Sequence, residues 1–312
     1  MPKLSFQYVR HAAPETVIAF LARRFRYHPP EKWRELLAGG HVTVNGAAAA
    51  PERVLRDRDR IVYEPPPAPE PEIDPTFRIL YEDADLLAVD KSGNIPTSPS
   101  GKYWHHCLVH VLQRELGLPQ LHAVHRLDRE TSGVNLFAKT REAARALGDD
   151  FHAGRNAKVY VAVLRGRLPV VAAYVNAPLG PDPAGAIRIK QAVRWDGRPA
   201  RTRFRLRAVL PGASLAEVVP LTGRTHQIRA HAAYLGLPVW GDKLYGASEA
   251  TFLEWVQSDR RSATERQLLH AATLTFTHPR TGRTITLRSP AGGLLQLFLA
   301  QVGVTRAAGT AP

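Results

Sequence analysis

The segment LHAVHRLDRETSGVNLFAKT, residues 121–140, places one aspartate between two arginines just before an apolar run. Asp128 is flanked by Arg126 and Arg129, and neighbouring cations favour the ionised form of a carboxyl group. An ionised carboxylate is a poor general acid but a competent nucleophile or base. The apolar run VNLFA predicts a buried strand that anchors the aspartate loop to a core. Taken alone, the segment is equally compatible with a network of surface ion pairs.

A second basic segment, PLTGRTHQIRAH, covers residues 220–231 and predicts a turn that leads into a helix. We expect Thr225 to cap the start of this helix, because threonine is favoured at that position. Arg224, Arg229 and His231 cannot all face solvent if the apolar residues of the same helix face a core. Two arginine-rich segments around one aspartate predict a pocket for an anionic substrate.

Lys158 and Tyr160 belong to the predicted strand KVYVAVLRGRL. Alternate residues of a strand point to the same face, so we expect these two side chains to lie together. A cation beside an aromatic ring suits stacking on a nucleobase. Taken alone, the pattern is better explained by a half-buried strand with a solvated lysine.

The order of predicted elements favours an α+β fold. Predicted strands outnumber helices and often follow one another directly, which indicates a central, mostly antiparallel mixed sheet with flanking helices. A doubly wound α/β fold would alternate the two. The sequence has neither a P-loop nor a dinucleotide-binding glycine motif, so no nucleotide cofactor is implied. A single cysteine, Cys107, rules out a zinc site built on paired cysteines.

A proline-rich stretch, PPPAPEPEIDP, divides the chain. Its six prolines predict an extended, semi-rigid linker over residues 65–76. We therefore expect a small α+β domain over residues 1–64 and a large domain over residues 77–302. Residues 303–312 lack apolar periodicity, which predicts a flexible tail.

The charge of the chain points to a polyanionic partner. Its 42 lysines and arginines against 28 aspartates and glutamates give a net charge of +14. Such a surface attracts nucleic acid first and anionic membranes second. No apolar run reaches the roughly 18 residues needed to span a bilayer, and no signal peptide is recognisable. With the single cysteine, these features predict a cytoplasmic protein.

The first 64 residues combine basic helices with a hairpin. Helical periodicity begins near Val17, a second helix is predicted from Pro30 to Leu37, and Asn45-Gly46 is a strong hairpin signal. GGHVTVNG followed by LRDRDRIVYE resembles the end of the alpha-L RNA-binding module. That resemblance implies that five basic residues face RNA phosphates: Arg23, Arg24, Arg26, Lys32 and Arg34.

The large domain resembles the RluA/RluD-type family of RNA pseudouridine synthases over roughly residues 77–290. The segments that carry the resemblance are HRLDRETSG, KVY, GRTHQIRAH, LGLPVWGDKLYG and LHAATLTFTHPRTG. Members of this family isomerise uridine in RNA to pseudouridine. The resemblance implies an α+β domain whose long central antiparallel sheet forms a cleft that contains the active site.

The resemblance also implies roles for individual residues. Asp128 matches the catalytic aspartate, which Arg229 holds in place, and Tyr160 matches the tyrosine that stacks on the target base. Arg126 matches the side chain that fills the gap left by the flipped nucleotide. The remaining candidate RNA contacts are Arg129, Lys158, Arg224 and His226. No metal or cofactor is required, and nothing in the sequence demands more than a monomer.

Three questions stay open at the level of sequence. Ribosomal RNA and tRNA are both candidate substrates. Asp128 could attack the ribose, attack the uracil ring or remove a ribose proton. A non-catalytic RNA-binding protein or ribosome-assembly factor would share the fold, whereas a metal-dependent nuclease is disfavoured because the sequence lacks a carboxylate cluster.

Overall fold

The computed structural model describes residues 3–10, 13–25, 28–67, 69–183, 185, 187, 189–257 and 266–302. Two of the predictions, the flexible tail over residues 303–312 and the RNA contact of Arg26, lie outside these residues. The chain divides into two compact units. The first comprises Met1–Pro71 with Gly101–His105, and the second comprises Glu72–Ser100 with the residues from His106 onward.

The first unit is a four-stranded antiparallel sheet with two helices. Its elements are β1 (Leu4–Gln7), α1 (Val17–Arg24), α2 (Pro30–Ala38), β2 (Val42–Val44), β3 (Ala47–Ala48) and β4 (Arg60–Tyr63), and the strand order is β1-β4-β2-β3. Asn45 and Gly46 both have positive φ, which a tight hairpin turn requires. The fully buried Trp33 lies in the core of this unit. The predicted second helix and hairpin are therefore present.

The second unit contains twelve strands among the residues described. They are β5 (Phe77–Glu82), β6 (Leu86–Lys91), β7 (His122–Ala123), β8 (Ser132–Ala138), β9 (Ala157–Arg165), β10 (Ala172–Asn176), β11 (Leu179–Pro181), β12 (Gln191–Val193), β13 (Arg201–Leu210), β14 (Ala213–Pro220), β15 (Leu269–Thr277) and β16 (Thr284–Arg288). The helices are α3 (Leu108–Leu116), α4 (Arg141–Ala153), α5 (Gln227–Tyr234), α6 (Glu249–Gln257) and α7 (Gly292–Gln301). No helix in the described ranges is both long and apolar enough to cross a membrane.

Ten of these strands form one large sheet in the order β10-β13-β14-β9-β15-β8-β6-β5, with β16 beside β15 and β7 beside β8. Every pair is antiparallel except β15 with β8. The predicted α+β class with a mostly antiparallel central sheet is confirmed. Both faces of β8 are buried, so the apolar run after Asp128 forms a strand in the middle of the core.

The parallel joint between β8 and β15 is short and tightly packed. It consists of two residue pairs, His270 with Ser132 and Ala271 with Gly133. Gly133 has a φ of +108°, and a Cβ at this position would lie 2.2 Å from the carbonyl oxygen of Ala271. Only glycine fits such a backbone at such a distance. The aspartate loop ends at this joint, so the joint fixes where the loop leaves the sheet.

The start of α5 differs from the prediction. Thr225 is not the cap residue. The helix begins at Gln227, the cap position is His226, and no side chain caps the helix there. His226 has a φ of +54°, a left-handed conformation that is uncommon for residues other than glycine. The positive φ of His226 marks the turn that leads from Thr225 into the helix.

Candidate active site

The second unit contains a cavity of about 430 Å³ that draws its walls from all three predicted segments. It is bounded by the aspartate loop, by β9 and by the turn that leads into α5, with the end of α4 closing one side. Seven of the predicted site residues line it: Arg126, Asp128, Lys158, Tyr160, Arg224, His226 and Arg229. The fold therefore brings together residues that are distant in the sequence, in a cavity large enough for a small ligand.

The aspartate loop is held by backbone hydrogen bonds on both sides of Asp128. The amide of Leu127 donates to the Thr97 hydroxyl at 3.0 Å, and the amide of Thr131 donates to the carbonyl of Asp128 at 3.0 Å. The carbonyl of Arg129 accepts from the fully buried Lys91 ammonium at 3.0 Å. These contacts leave little freedom to the backbone that carries the carboxylate.

Arg229 connects Asp128 to a second, fully buried aspartate. Its Nη1 donates to Asp128 Oδ2 at 2.7 Å, while Nε and Nη2 donate to the two oxygens of Asp242 at 2.6 and 2.9 Å. Asp242 also accepts from the amides of Leu244 and Tyr245 at 2.9 and 3.0 Å. Asp242 therefore fixes the guanidinium plane, and the guanidinium in turn fixes the carboxylate of Asp128.

Opposing effects act on the pKa of Asp128. Burial raises it and is the largest single influence, but the combined effect of Arg229, His226 and Arg126, led by Arg229, outweighs burial, and the pKa lies below its ordinary value. Arg126 contributes less. Arg129 does not line the cavity, because its guanidinium bonds to Glu130 at 2.7 Å and to Asn94 at 3.0 Å. Asp128 is ionised as expected, but its main counter-charge comes from α5 rather than from its sequence neighbours.

His226 lies beside Asp128 without a strong ion pair. Its Nε2 is 3.9 Å from Asp128 Oδ1, and its Nδ1 is 3.2 Å from the hydroxyl of Tyr245. Burial lowers the pKa of His226 to about 4, although Asp128 acts in the opposite direction. The imidazole is therefore neutral at pH 7. It can donate or accept a hydrogen bond, but it adds no positive charge to the site.

Tyr160 and Lys158 project from β9 into the cavity, on the same face as predicted. Burial and the nearby Asp128 carboxylate raise the pKa of Tyr160, so the phenol stays protonated at physiological pH. Burial lowers the pKa of Lys158, whose ammonium lies 5.2 Å from the centre of the Phe151 ring. The cavity thus offers an aromatic face beside an ionised carboxylate.

His125 is a cavity residue that the sequence analysis did not single out. Its ring stacks on Phe151 with 4.9 Å between centroids and 9° between planes. Its Nε2 accepts a hydrogen bond from the amide of Leu136 at 3.0 Å, which places the proton of the neutral ring on Nδ1. Burial lowers the pKa of His125 to about 3. The ring joins the aspartate loop to β8 and α4 as a neutral group.

Gln227 and Asp242 were also missed. Gln227 Oε1 accepts from the Thr222 hydroxyl at 2.7 Å and from the amide of Arg224 at 3.0 Å, which holds the turn before α5. Both residues fall in segments already quoted, GRTHQIRAH and LGLPVWGDKLYG. The available signal for Asp242 was Arg229 itself. A buried arginine that pairs with one carboxylate needs a second partner.

Arg224 extends the cationic wall of the cavity toward its rim. Its Nε donates to the carbonyl of Pro199 at 3.0 Å. Burial and the nearby Arg198 lower the pKa of Arg224 from its very high ordinary value, and the group remains a cation at neutral pH. A polyanion at this rim would meet two adjacent guanidinium groups.

In the first unit, four of the five predicted phosphate contacts are described. Three make ion pairs: Arg23 with Glu15 at 2.7 Å, Lys32 with Glu35 at 2.5 Å, and Arg34 with Glu52 at 3.7 Å. Arg24 lies over the rings of Phe6 and Phe25 at 5.9 and 5.3 Å. These basic side chains are exposed. The surface pairs of Lys32 and Arg34 are weak in water and open to competition by phosphate, whereas Arg23 binds the mostly buried Glu15 through two hydrogen bonds.

One group of possible metal ligands occurs among the described residues. Asp83, Asp85 and His278 place ligand atoms within 4.8 Å of one another, away from the cavity. Protein groups already serve them: His278 lies 2.8 Å from Asp83 Oδ2, and Arg280 lies 2.6 Å from Asp85 Oδ2. The three side chains therefore belong to a cluster of ion pairs.

Known proteins resemble this chain over most of its length. The family model described as RNA pseudouridylate synthase matches residues 85–234. Ribosomal large subunit pseudouridine synthase D of Xanthomonas campestris pv. campestris is 34% identical, over 92% of this chain and 89% of that protein. Ribosomal large subunit pseudouridine synthase C of Escherichia coli K12 is 33% identical, over 89% and 90%. The structure of human RNA Pseudouridylate Synthase Domain Containing 1 matches with a TM-score of 0.57 and 26% identity, over 71% of this chain and 86% of that one.

Proposed function

Because the chain belongs to the RluA family of RNA pseudouridine synthases, isomerases that convert uridine in RNA to pseudouridine, we propose that its substrate is large-subunit ribosomal RNA and that Asp128 is its catalytic residue. The choice of substrate is supported by its relatives, several of which are named ribosomal large subunit pseudouridine synthases. The choice of Asp128 rests on one observation: an ionised carboxylate, held by Arg229, in the wall of the large cavity.

The chemistry of the reaction explains why such a cavity is needed. The bond between ribose and N1 of uracil must break, and the base must rejoin the ribose through carbon 5. A base inside an RNA stack is inaccessible to this chemistry, so the target nucleotide must flip out at a cost of a few kcal/mol. The cavity of about 430 Å³ can take up a flipped nucleotide. No electron transfer occurs, so the isomerisation needs no redox group.

Asp128 suits a nucleophilic or basic role because its pKa is lowered. Three steps are open to it: attack on the ribose, attack on the uracil ring, or removal of a ribose proton. Each requires the carboxylate to be ionised and precisely placed, which is what Arg229 achieves from within the protein interior. Arg229 acts on the substrate through Asp128 and is, on this proposal, a positioning residue.

Tyr160 supplies the surface on which the flipped uracil rests. Its ring lies in the cavity wall with Asp128, and base–aromatic stacking contributes about 1–3 kcal/mol. Lys158 and Arg224 add positive charge for the phosphates of the flipped nucleotide. Arg126, directly beside the catalytic aspartate, is placed to enter the gap that the nucleotide leaves in the RNA.

The first unit is proposed to be an alpha-L RNA-binding module over residues 1–64, joined by a linker over residues 65–76 to the catalytic domain over residues 77–302. Support comes from the exposed basic side chains of α1 and α2, among them Arg23, Arg24, Lys32 and Arg34. On this proposal, replacing Arg23, Arg24 and Lys32 with glutamine lowers the affinity for RNA and flattens its dependence on salt. An unchanged salt dependence would show that the module takes no part in RNA recognition.

The reaction and its substrate can be tested together. RNA labelled with tritium at carbon 5 of uridine is prepared from a strain that lacks this protein, and ribosomal RNA and tRNA are assayed separately. We expect the wild-type protein to release tritium from ribosomal RNA, with and without EDTA. Asp128→Asn, which keeps the shape of the side chain but not its charge, should abolish release.

Asp196→Asn is the matched control, since this aspartate is exposed and pairs with Arg194 outside the cavity. It should behave as wild type. Release from tRNA alone would overturn the proposal that ribosomal RNA is the substrate. Full activity of Asp128→Asn would overturn the catalytic assignment, and absence of release from both RNA pools would favour a binding protein.

A further inference from the structure

Strand β13 carries a run of alternate arginines in the sequence RTRFRLR, residues 201–207. The arginines are all exposed: Arg201, Arg203, Arg205 and Arg207. The two residues between the first three, Thr202 and Phe204, are completely buried. This alternation shows that the arginines project from one face of the sheet, because successive side chains of a strand point to opposite faces.

The arginines lie on the face of the sheet opposite to the cavity. Phe204 pairs directly with Val218, and Val218 pairs directly with Tyr160 of the cavity wall. Residues paired across neighbouring strands share a face of the sheet. Phe204 therefore points to the cavity side, and its neighbours Arg203 and Arg205 point to the reverse side. None of the four arginines takes part in the proposed chemistry.

Three of the four arginines form no ion pair within the described part of the chain: Arg201, Arg203 and Arg205. Arg207 bonds to Glu217, which is also the residue directly across from Arg205 on β14. The three arginines, here called the arginine row, are spaced by two residues each, which corresponds to about 13 Å along the strand. Like charges this close together on an exposed face repel one another, and a bound polyanion removes that repulsion.

An aromatic side chain on the adjacent edge strand lies beside the middle of the row. Tyr174 of β10 pairs directly with Arg203 and is 53% exposed. A line of cations with an aromatic ring beside its midpoint combines phosphate binding with base stacking. Arginine is the residue best shaped for this task, because its planar fork binds phosphate oxygens in pairs.

We propose that the arginine row and Tyr174 form a second RNA-contact surface, which binds the backbone of the substrate RNA at a distance from the target uridine. This inference rests on the proposed function, since it assigns a further part of the same RNA to the reverse face of the sheet. A row of charges 13 Å long fits an extended polyanion better than a compact anionic ligand. The cavity then accepts one nucleotide while this surface holds another segment of the same molecule.

The test is the salt dependence of KM for ribosomal RNA in the tritium-release assay. We expect the triple variant Arg201→Gln/Arg203→Gln/Arg205→Gln to raise KM and leave kcat unchanged. Each lost phosphate contact lowers the logarithmic salt slope by about 0.7–0.9. The factor by which affinity falls between about 50 and 200 mM salt should thus be about thirtyfold smaller in the triple variant than in wild type. Tyr174→Ala should raise KM by about fivefold or more without changing the slope, because stacking releases no counterions.

Two further variants separate charge from fold. Arg114→Gln removes an exposed arginine of α3 that pairs with Glu115 away from the arginine row, and its KM and salt slope should equal those of wild type. Exchange of the three arginines for lysine keeps the charge and should keep most of the slope. A wild-type salt slope in the glutamine variant, while turnover remains intact, would overturn this inference and leave the proposed function standing. Absence of turnover in the wild-type protein would instead overturn the proposed function.

Discussion

Arg229 binds Asp242 through two hydrogen bonds of 2.6 and 2.9 Å, and it uses its remaining nitrogen to hold Asp128 at 2.7 Å. Asp242 is fully buried and does not line the cavity. Its charge offsets the cost of burying the guanidinium, since a buried cation without a partner is strongly destabilising. On the proposed function, the position of the catalytic carboxylate thus depends on a residue outside the cavity wall.

Asp242→Asn should lower kcat by about tenfold or more and change KM little. The amide can accept only one of the two guanidinium hydrogen bonds, so Arg229 loses its orientation and Asp128 loses its placement. Steady-state kinetics of tritium release measure this, with the surface variant Asp196→Asn as control. A parallel loss of kcat and thermal stability that Asp242→Glu does not restore would indicate a general folding defect instead.

Arg229→Gln should shift the acid limb of the kcat–pH profile to higher pH. Burial raises the pKa of Asp128, and the Arg229 cation makes the largest contribution that lowers it. Without this cation burial is opposed more weakly, so Asp128 takes up its proton at a higher pH and the active ionised form is lost earlier on acidification. Arg229→Lys keeps a charge near Asp128 and should shift the limb less. An acid limb that does not move would show that another group controls ionisation.

Gly133→Ala should destabilise the protein by more than about 2 kcal/mol, because a side chain there meets the carbonyl of Ala271 and the backbone has a positive φ. Gly148→Ala is the matched control. Gly148 lies inside α4 with open space around it, and alanine there should stabilise by about 0.5–1 kcal/mol. Chemical denaturation of both variants measures the difference. Equal stability of the two would contradict the tight joint between β8 and β15.

His125→Phe should lower the free energy of unfolding by about 1–3 kcal/mol at pH 8, since the amide of Leu136 loses its acceptor while the stacking on Phe151 remains. The pKa of His125 is about 3 in the folded state, below its ordinary value. Stability from the neutral ring is complete above about pH 6.5 and is lost as the pH falls toward 3, by up to roughly 1.4 kcal/mol per pH unit. The two proteins should therefore converge in stability on acidification. A constant difference from pH 8 to pH 4 would contradict a neutral, buried ring.

The sequence was sufficient to predict the fold class and the segments that meet in the cavity. Strand periodicity marked β8 and β9, and Asp128 stood out because two arginines flank it just before an apolar run. The family resemblance then supplied roles that periodicity alone does not contain. Both kinds of information are local in sequence, so they locate segments well.

Side-chain direction was harder to predict. Arg129 looked like a partner of Asp128, but the loop turns it toward Glu130 and Asn94. His226 rather than Thr225 occupies the cap position, because the left-handed turn before α5 is set by packing in three dimensions. Asp242 was missed for the same reason: a buried arginine calls for a second carboxylate partner, but no spacing in the sequence says which carboxylate that is.

The parallel joint between β8 and β15 has a consequence for the time at which the enzyme becomes active during its synthesis. Strand β8 emerges from the ribosome well before β15, and parallel strands pair only after the whole connection between them exists. At ordinary rates of translation, the delay is on the order of ten seconds. The aspartate loop lacks Arg229 for most of this interval and lacks its strand neighbour β15 until the end of it. On the proposal that the first unit binds RNA, a nascent chain could bind RNA before it can modify any uridine.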